Sequence, residues 1–195
     1  MTRSASITRT TTETDITLTL ALDGDGTTRV ATGVPFFDHM LDAFGRHGLF
    51  SLGVDATGDL AVDAHHTVED VGICLGQALA EALGEKRGIR RFGSATVPMD
   101  EALVLAAVDI SGRGQLHWAV DLPIEIIGTF DTTLAKEFMI ALASTAGITV
   151  HVRSLAGDNA HHIIEAAFKA VARALAEAVS VDPRVTGVPS TKGSL

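Results

Sequence analysis

A chain of 195 residues, 46% of them hydrophobic, has apolar surface enough for one sizeable domain or two small ones. Its formal net charge of −9 argues against nucleic acid or an anionic membrane as partner, although a few arginines can still hold a small anionic substrate. The single Cys74 excludes an intramolecular disulfide and suits a reducing compartment. No apolar run reaches the roughly 18 residues of a membrane helix, and MTRSASITRTTTETD lacks the apolar core of a secretory signal, so a cytoplasmic location is expected.

Residues Ser6 to Leu22 alternate Thr with Ile and Leu, which predicts a strand ending in an Asp-Gly turn. Arg29 to Gly33 continues as a short strand. Pro35 opens a helix, PFFDHMLDAFGRHG, with Gly48 as its expected stop. Phe50 to Thr57 reads as a strand, Gly58-Asp59 as a turn, and His65 to about Leu83 as a helix ended by Gly84. The second half predicts strands near Arg91–Val97, Ala102–Ile110 and Gln115–Leu122, a helix over Thr132–Ala146, a strand over Ile148–Val152 and a helix from His161. The order is strands, helix, strand, helix, taken twice. Each half is expected to be a small sheet with two helices on one face, an α+β arrangement. The units are residues 1–88, 89–181 and a polar tail, 182–195.

One cluster occurs twice, His65-His66-Thr67-Val68-Glu69 and His161-His162-Ile163-Ile164-Glu165. The 20 residues from His65 lie over those from His161 with eight identities and no gap, the mark of a duplicated unit. Residues four apart share a helix face, so His65 with Glu69, and His161 with Glu165, can each chelate one ion. Adjacent histidines diverge by about 100°, which points His66 and His162 at a second ion. Across a two-fold relation the ligands swap: His65, Glu69 and His162 on one ion, His161, Glu165 and His66 on the other. Extending the repeat backward adds His39 to the second set and Glu137 to the first. Imidazole and carboxylate without thiolate suit Mn, Fe, Co, Ni or Zn, and Mn²⁺ with open positions is the preferred reading. His151 is equally a ligand or a hydrogen-bonded strand residue, His117 is structural, and Cys74 is a small buried residue. No glycine fingerprint for a nucleotide is present.

With FFDHMLDAFGRHG, DAHHTVED, AGDNAHHIIEA and PSTKG in view, the chain resembles the imidazoleglycerol-phosphate dehydratases from about Arg9 to Gly193. The resemblance implies a duplicated unit of a four-stranded sheet with two helices, the ribosomal protein S5 domain 2-like fold, in a single-function enzyme of histidine biosynthesis. It implies two Mn²⁺ ions per active site, shared between copies of a homo-oligomer, a 24-mer built from trimers. Its ligands match His39, His66, His161 and Glu165 for one ion and His65, Glu69 and His162 for the other. Where some members place a histidine as the last ligand, this chain has Glu137. Glu13 matches a substrate-site carboxylate and is the first choice of general base, with His47 or a metal ligand such as Glu165 sharing proton transfer. Arg91, Arg113, Ser190, Thr191 and Lys192 match contacts to the substrate and its phosphate, and His39, His47, His65 and Glu69 also line the substrate. The rivals are a non-catalytic metal-storage or metal-sensing protein, which needs no phosphate-binding arginines, and a di-iron carboxylate oxidoreductase, which builds on Glu-x-x-His across four long helices.

Overall fold

The computed structural model describes residues 3–195. The alternation in Thr14–Ala21 (β2) sets Ile16, Leu18 and Leu20 inward and the intervening Asp and Thr outward. The first expected strand is in fact a hairpin. β1 (Ser4–Thr10) pairs antiparallel with β2, Ser4 opposite Ala21 and Thr10 opposite Asp15. The turn between them is made by Thr11, whose Oγ1 accepts from the Glu13 and Thr14 N–H groups at 3.1 and 3.0 Å. A hydroxyl folding back on its own backbone turns the chain with no Gly or Pro to announce it.

β3 (Thr28–Ala31), α1 (Pro35–Gly48), β4 (Ser51–Gly58) and α2 (His65–Leu83) complete the first half, with sheet order β1-β2-β4-β3. The second half has β5 (Phe92–Met99), β6 (Ala102–Asp109) and β7 (Gln115–Ala119). After a two-stranded hairpin of β8 (Ile126–Ile127) and β9 (Phe130–Asp131) come α3 (Leu134–Ala146), β10 (Thr149–Ala156) and α4 (Ala160–Val179). Its sheet order, β5-β6-β10-β7, repeats the first, down to one parallel pair at the edge: β3 with β4, β7 with β10. The β8–β9 hairpin was not foreseen, because two-residue strands carry no periodicity.

α2 lies on β1 and β2 and packs against α3, while α4 lies on β5 and β6 and packs against α1. The helices thus fill the space between the two sheets. In α4, 14 of 20 residues are buried, which is what a helix covered on both sides requires. Phe37, Phe44, Phe138 and Phe168 are fully buried in the one continuous core. α2 meets α3 closely: a Cβ on Gly76 would stand 2.9 Å from the Leu142 carbonyl oxygen. Gly48 does not stop α1. It is the last helical residue, placed there because a Cβ would meet the Phe50 ring at 2.4 Å, and Leu49 takes the left-handed turn at φ 57°. No described helix is long and apolar enough to cross a membrane.

Candidate metal centre

The second cluster and α1 form the tightest group. His161 and Glu165, four apart near the start of α4, share a face, and the packing of α1 on α4 brings His39 over them. His39 Nε2 and His161 Nε2 each lie 3.2 Å from Glu165 Oε2. One donor atom from each residue falls within 4.8 Å of the others. The other carboxylate oxygen, Oε1, accepts from Lys169 Nζ at 2.6 Å, one turn further along α4. Burial alone would raise the Glu165 pKa, but the Lys169 ammonium and His39 outweigh it and hold the group below the usual carboxylate range. Phe36 meets the His161 ring edge-on at 5.0 Å. Two imidazole nitrogens and an ionised carboxylate oxygen on one small volume are a donor set that fits a divalent ion.

The remaining cluster residues are held separately. His65 Nε2 lies 4.0 Å from Glu69 Oε2, both half-exposed on the first turns of α2. His66 is oriented by Asp59, whose Oδ2 is 3.0 Å from Nδ1, while its Nε2 faces Glu13 Oε1 at 3.8 Å. His162 Nδ1 bonds Glu101 Oε2 at 2.7 Å, and its Nε2 faces Asp100 Oδ2 at 3.7 Å. The Asp59 carboxylate raises the His66 pKa, and Glu101 raises that of His162 and is itself lowered to about 2 by the same bond. Glu137, half-buried on α3, stands outside the group of His39, His161 and Glu165. Within one chain neither His66 joins that group nor His162 joins His65 and Glu69. His117 and His151, opposite each other on β7 and β10, stack with ring centroids 4.2 Å apart and stand away from the clusters.

The phosphate candidates gather elsewhere. Arg91, with φ at 73°, reaches Asp109 through Nε and one terminal nitrogen (2.7 and 3.2 Å), and its other nitrogen donates to the Pro189 carbonyl at 3.0 Å. Arg113 approaches the same Asp109 at 3.9 Å. Arg91 therefore pins the tail just before Ser190, Thr191 and Lys192, where the Lys192 N–H donates to Ser190 Oγ at 3.2 Å. The Arg91 N–H bonds Ala178 O, near the end of α4, whereas His161 is its second residue. At about 1.5 Å per helical residue the two groups stand about 25 Å apart in one chain. His47 lies about 12 Å along α1 from His39 by the same rise; burial, with the charges of Lys169 and Arg173, lowers its pKa.

A family model of imidazoleglycerol-phosphate dehydratase matches residues 32–175. The chain belongs to that family. It is 59% identical to the imidazoleglycerol-phosphate dehydratase of Moorella thermoacetica over 195 residues, all of both chains. It is 61% identical to that of Dinoroseobacter shibae over 194 residues, 99% of this chain and all of the other. Two crystal structures of the family share the fold. The Staphylococcus aureus enzyme has a TM-score of 0.83 at 39% identity, covering 92% of this chain and 99% of its own. The Pyrococcus furiosus enzyme, in complex with (S)-C348, has a TM-score of 0.82 at 43% identity, covering 97% and 100%. The chain is accordingly a dehydratase of histidine biosynthesis.

Sequence reasoning groups His66 with His39, His161 and Glu165, of which one chain brings together only the last three, and it misses the residues that hold them and their counterparts: Lys169, Asp59, Glu101 and Asp109. A signal existed for Lys169, four residues after Glu165. The others come from turns and a distant strand end, where spacing carries no message.

Proposed function

We propose that the chain converts D-erythro-imidazole glycerol phosphate to imidazole acetol phosphate and water, using two Mn²⁺ ions per active site. The observation that carries this reading is the convergence of His39 Nε2, His161 Nε2 and Glu165 Oε2 within 4.8 Å. Ions held by these residues would supply Lewis acidity to the ring nitrogens, so that the ring, as imidazolate, could donate electrons toward the carbon beside it. The C–O bond of that ring-side carbon breaks, and its hydroxyl leaves as water on gaining a proton. Glu13 takes the proton from the next carbon, which keeps its hydroxyl, and the resulting enol tautomerises to the ketone at that carbon. Arg91, Arg113, Ser190, Thr191 and Lys192 bind the phosphate and fix the reacting carbons relative to Glu13.

The active site lies between copies of the chain, in a cytoplasmic homo-oligomer that we assign as a 24-mer built from trimers. A substrate of one ring, three carbons and one phosphate is far shorter than the roughly 25 Å, at 1.5 Å per residue, along α4 between His161 and the Arg91 group. The ligand sets with His66 and His162, and any contribution from Glu137 or His47, also need a second copy. Metal content by elemental analysis, with dehydration of imidazole glycerol phosphate measured before and after chelation, tests the reading. Turnover should vanish on chelation and return with Mn²⁺; an inactive Mn²⁺-loaded protein overturns it.

A further inference from the structure

The duplication puts a glutamate at the same point of the first hairpin in each half. β2 and β6 are both eight residues long and alternate in phase from a buried first residue, Thr14 and Ala102. The residues just before them are Glu13 and Glu101. A bulge at Leu155 in β10 shifts the register by one, so Gly157 stands where Gly58 does, beside the first residue of the inner strand, and Asp158 follows it as Asp59 follows Gly58. The second histidine of each cluster shows where the halves differ. His66 has its Nδ1 held by Asp59 at 3.0 Å, and the hairpin glutamate, Glu13, faces its Nε2 at 3.8 Å. His162 pairs with Asp100 and Glu101, and not with Asp158 at the Asp59 position. Only three residues separate Asp158 from His162, against six between Asp59 and His66, so the two aspartates meet the cluster helices differently. Glu101 holds the ring instead, its Oε2 2.7 Å from His162 Nδ1 and its Oε1 accepting the Asn159 N–H at 3.1 Å.

We propose that Glu101 is a positioning residue. It accepts the Nδ1 proton of His162, fixes the tautomer whose Nε2 lone pair can ligate a divalent ion, and is thereby withheld from the proton transfer its counterpart Glu13 performs. An imidazole with hydrogen on Nδ1 has its free lone pair on Nε2, and a carboxylate holding that hydrogen both orients the ring and makes it more basic. In the first half Asp59 does this task, which leaves Glu13 without one. The two hairpin glutamates of a symmetric ancestor have thus diverged, one into an orienting role and one into chemistry.

This inference rests on the metal reading above, and the test separates the two. Mn²⁺ is titrated into metal-free wild type, Glu101→Gln and Glu13→Gln, with bound and free ion counted by electron paramagnetic resonance and melting temperature recorded. A glutamine keeps an acceptor for the Asn159 N–H but presents an NH₂ to Nδ1, which favours the tautomer that cannot ligate through Nε2. Glu101→Gln should weaken one class of Mn²⁺ sites about 10–100-fold, with the other class and the metal-free melting temperature unchanged. Glu13→Gln should keep both classes. Two unweakened classes in Glu101→Gln overturn the proposal, as does equal weakening of both with a fallen melting temperature, which makes Glu101 a brace for α4 alone. A wild type that binds no Mn²⁺ overturns the metal reading itself. Should Glu101→Gln not fold, Glu101→Asp retains a carboxylate too short to reach both partners, and the same selective weakening is expected of it; two intact classes there count against the proposal.

Discussion

Replacing Lys169 with methionine isolates what holds Glu165 ready for an ion. The Lys169 ammonium lies 2.6 Å from Glu165 Oε1, and the two side chains are 15% and 8% exposed. Methionine keeps most of the methylene stem, so the change removes charge more than packing. Breaking a buried pair by deleting one partner costs about 3–5 kcal/mol, and the partial exposure of Lys169 places this case near about 3. For a chain of this size each kcal/mol moves the melting temperature by about 2–4 °C, so metal-free Lys169→Met should melt about 6–12 °C lower. The sign with pH follows from the depressed Glu165 pKa. The stabilisation is present above the ordinary carboxylate range and is lost as pH falls through the lowered native value, so wild type and variant should converge in acid. Without Lys169, burial dominates and raises the Glu165 pKa, which shifts Mn²⁺ binding to higher pH. Bound Mn²⁺ supplies the missing positive charge, so the deficit should shrink on metal addition. The assay is calorimetry of metal-free and Mn²⁺-loaded protein across pH. A variant within about 1 kcal/mol of wild type in metal-free neutral buffer, well under the cost of an orphaned buried charge, would refute the reasoning.

Glu13→Gln should retain metal and substrate but lose about 10²–10⁴-fold in kcat, the usual weight of a general base; near-normal turnover removes Glu13 from that role. Burial pushes the Cys74 thiol up to about 11, so it should resist a thiol reagent at pH 8 in native protein and react at once in denaturant. Rapid native labelling would mean that α2 opens readily. Arg91→Lys loses the two-pronged grip on Asp109 and the hold on Pro189 O, so KM should rise more than kcat falls. Equal loss in both, or none, removes the phosphate role. If copies share the ions, full chelation should lower the mass of the particle in light scattering; an unchanged mass uncouples metal from assembly.

The elements that the sequence displayed best were those with a long apolar period and a glycine to end it. α2 runs over His65–Leu83 as read, because its apolar face repeats for five turns before Gly84. The hairpin at Thr11–Glu13 was invisible for the opposite reason: the Thr/Ile alternation passes through it without a break, and the turn is made by a threonine hydroxyl rather than by a glycine. Among the candidate site residues, His39, His161 and Glu165 could be grouped in advance since two share a helix face and the third follows from the repeat. The carboxylates that orient the rings could not, since Asp59 and Glu101 sit in turns whose partners are set by the sheets, not by spacing.

The repeat also concealed as much as it displayed. Taken as symmetric, it predicts that equivalent positions do equivalent work, and the clusters themselves encourage that view. The connection into each cluster helix is what breaks the symmetry. Asp59 lies seven residues before His66 and holds its ring, whereas Asp158 lies four before His162 and does not, so the task passes to Glu101 in the first hairpin turn of the second half. The shorter connection into the second cluster helix thus goes with one of two equivalent glutamates being tied to a ring nitrogen while the other is left facing the site, a difference that no count of histidines and carboxylates along the chain contains.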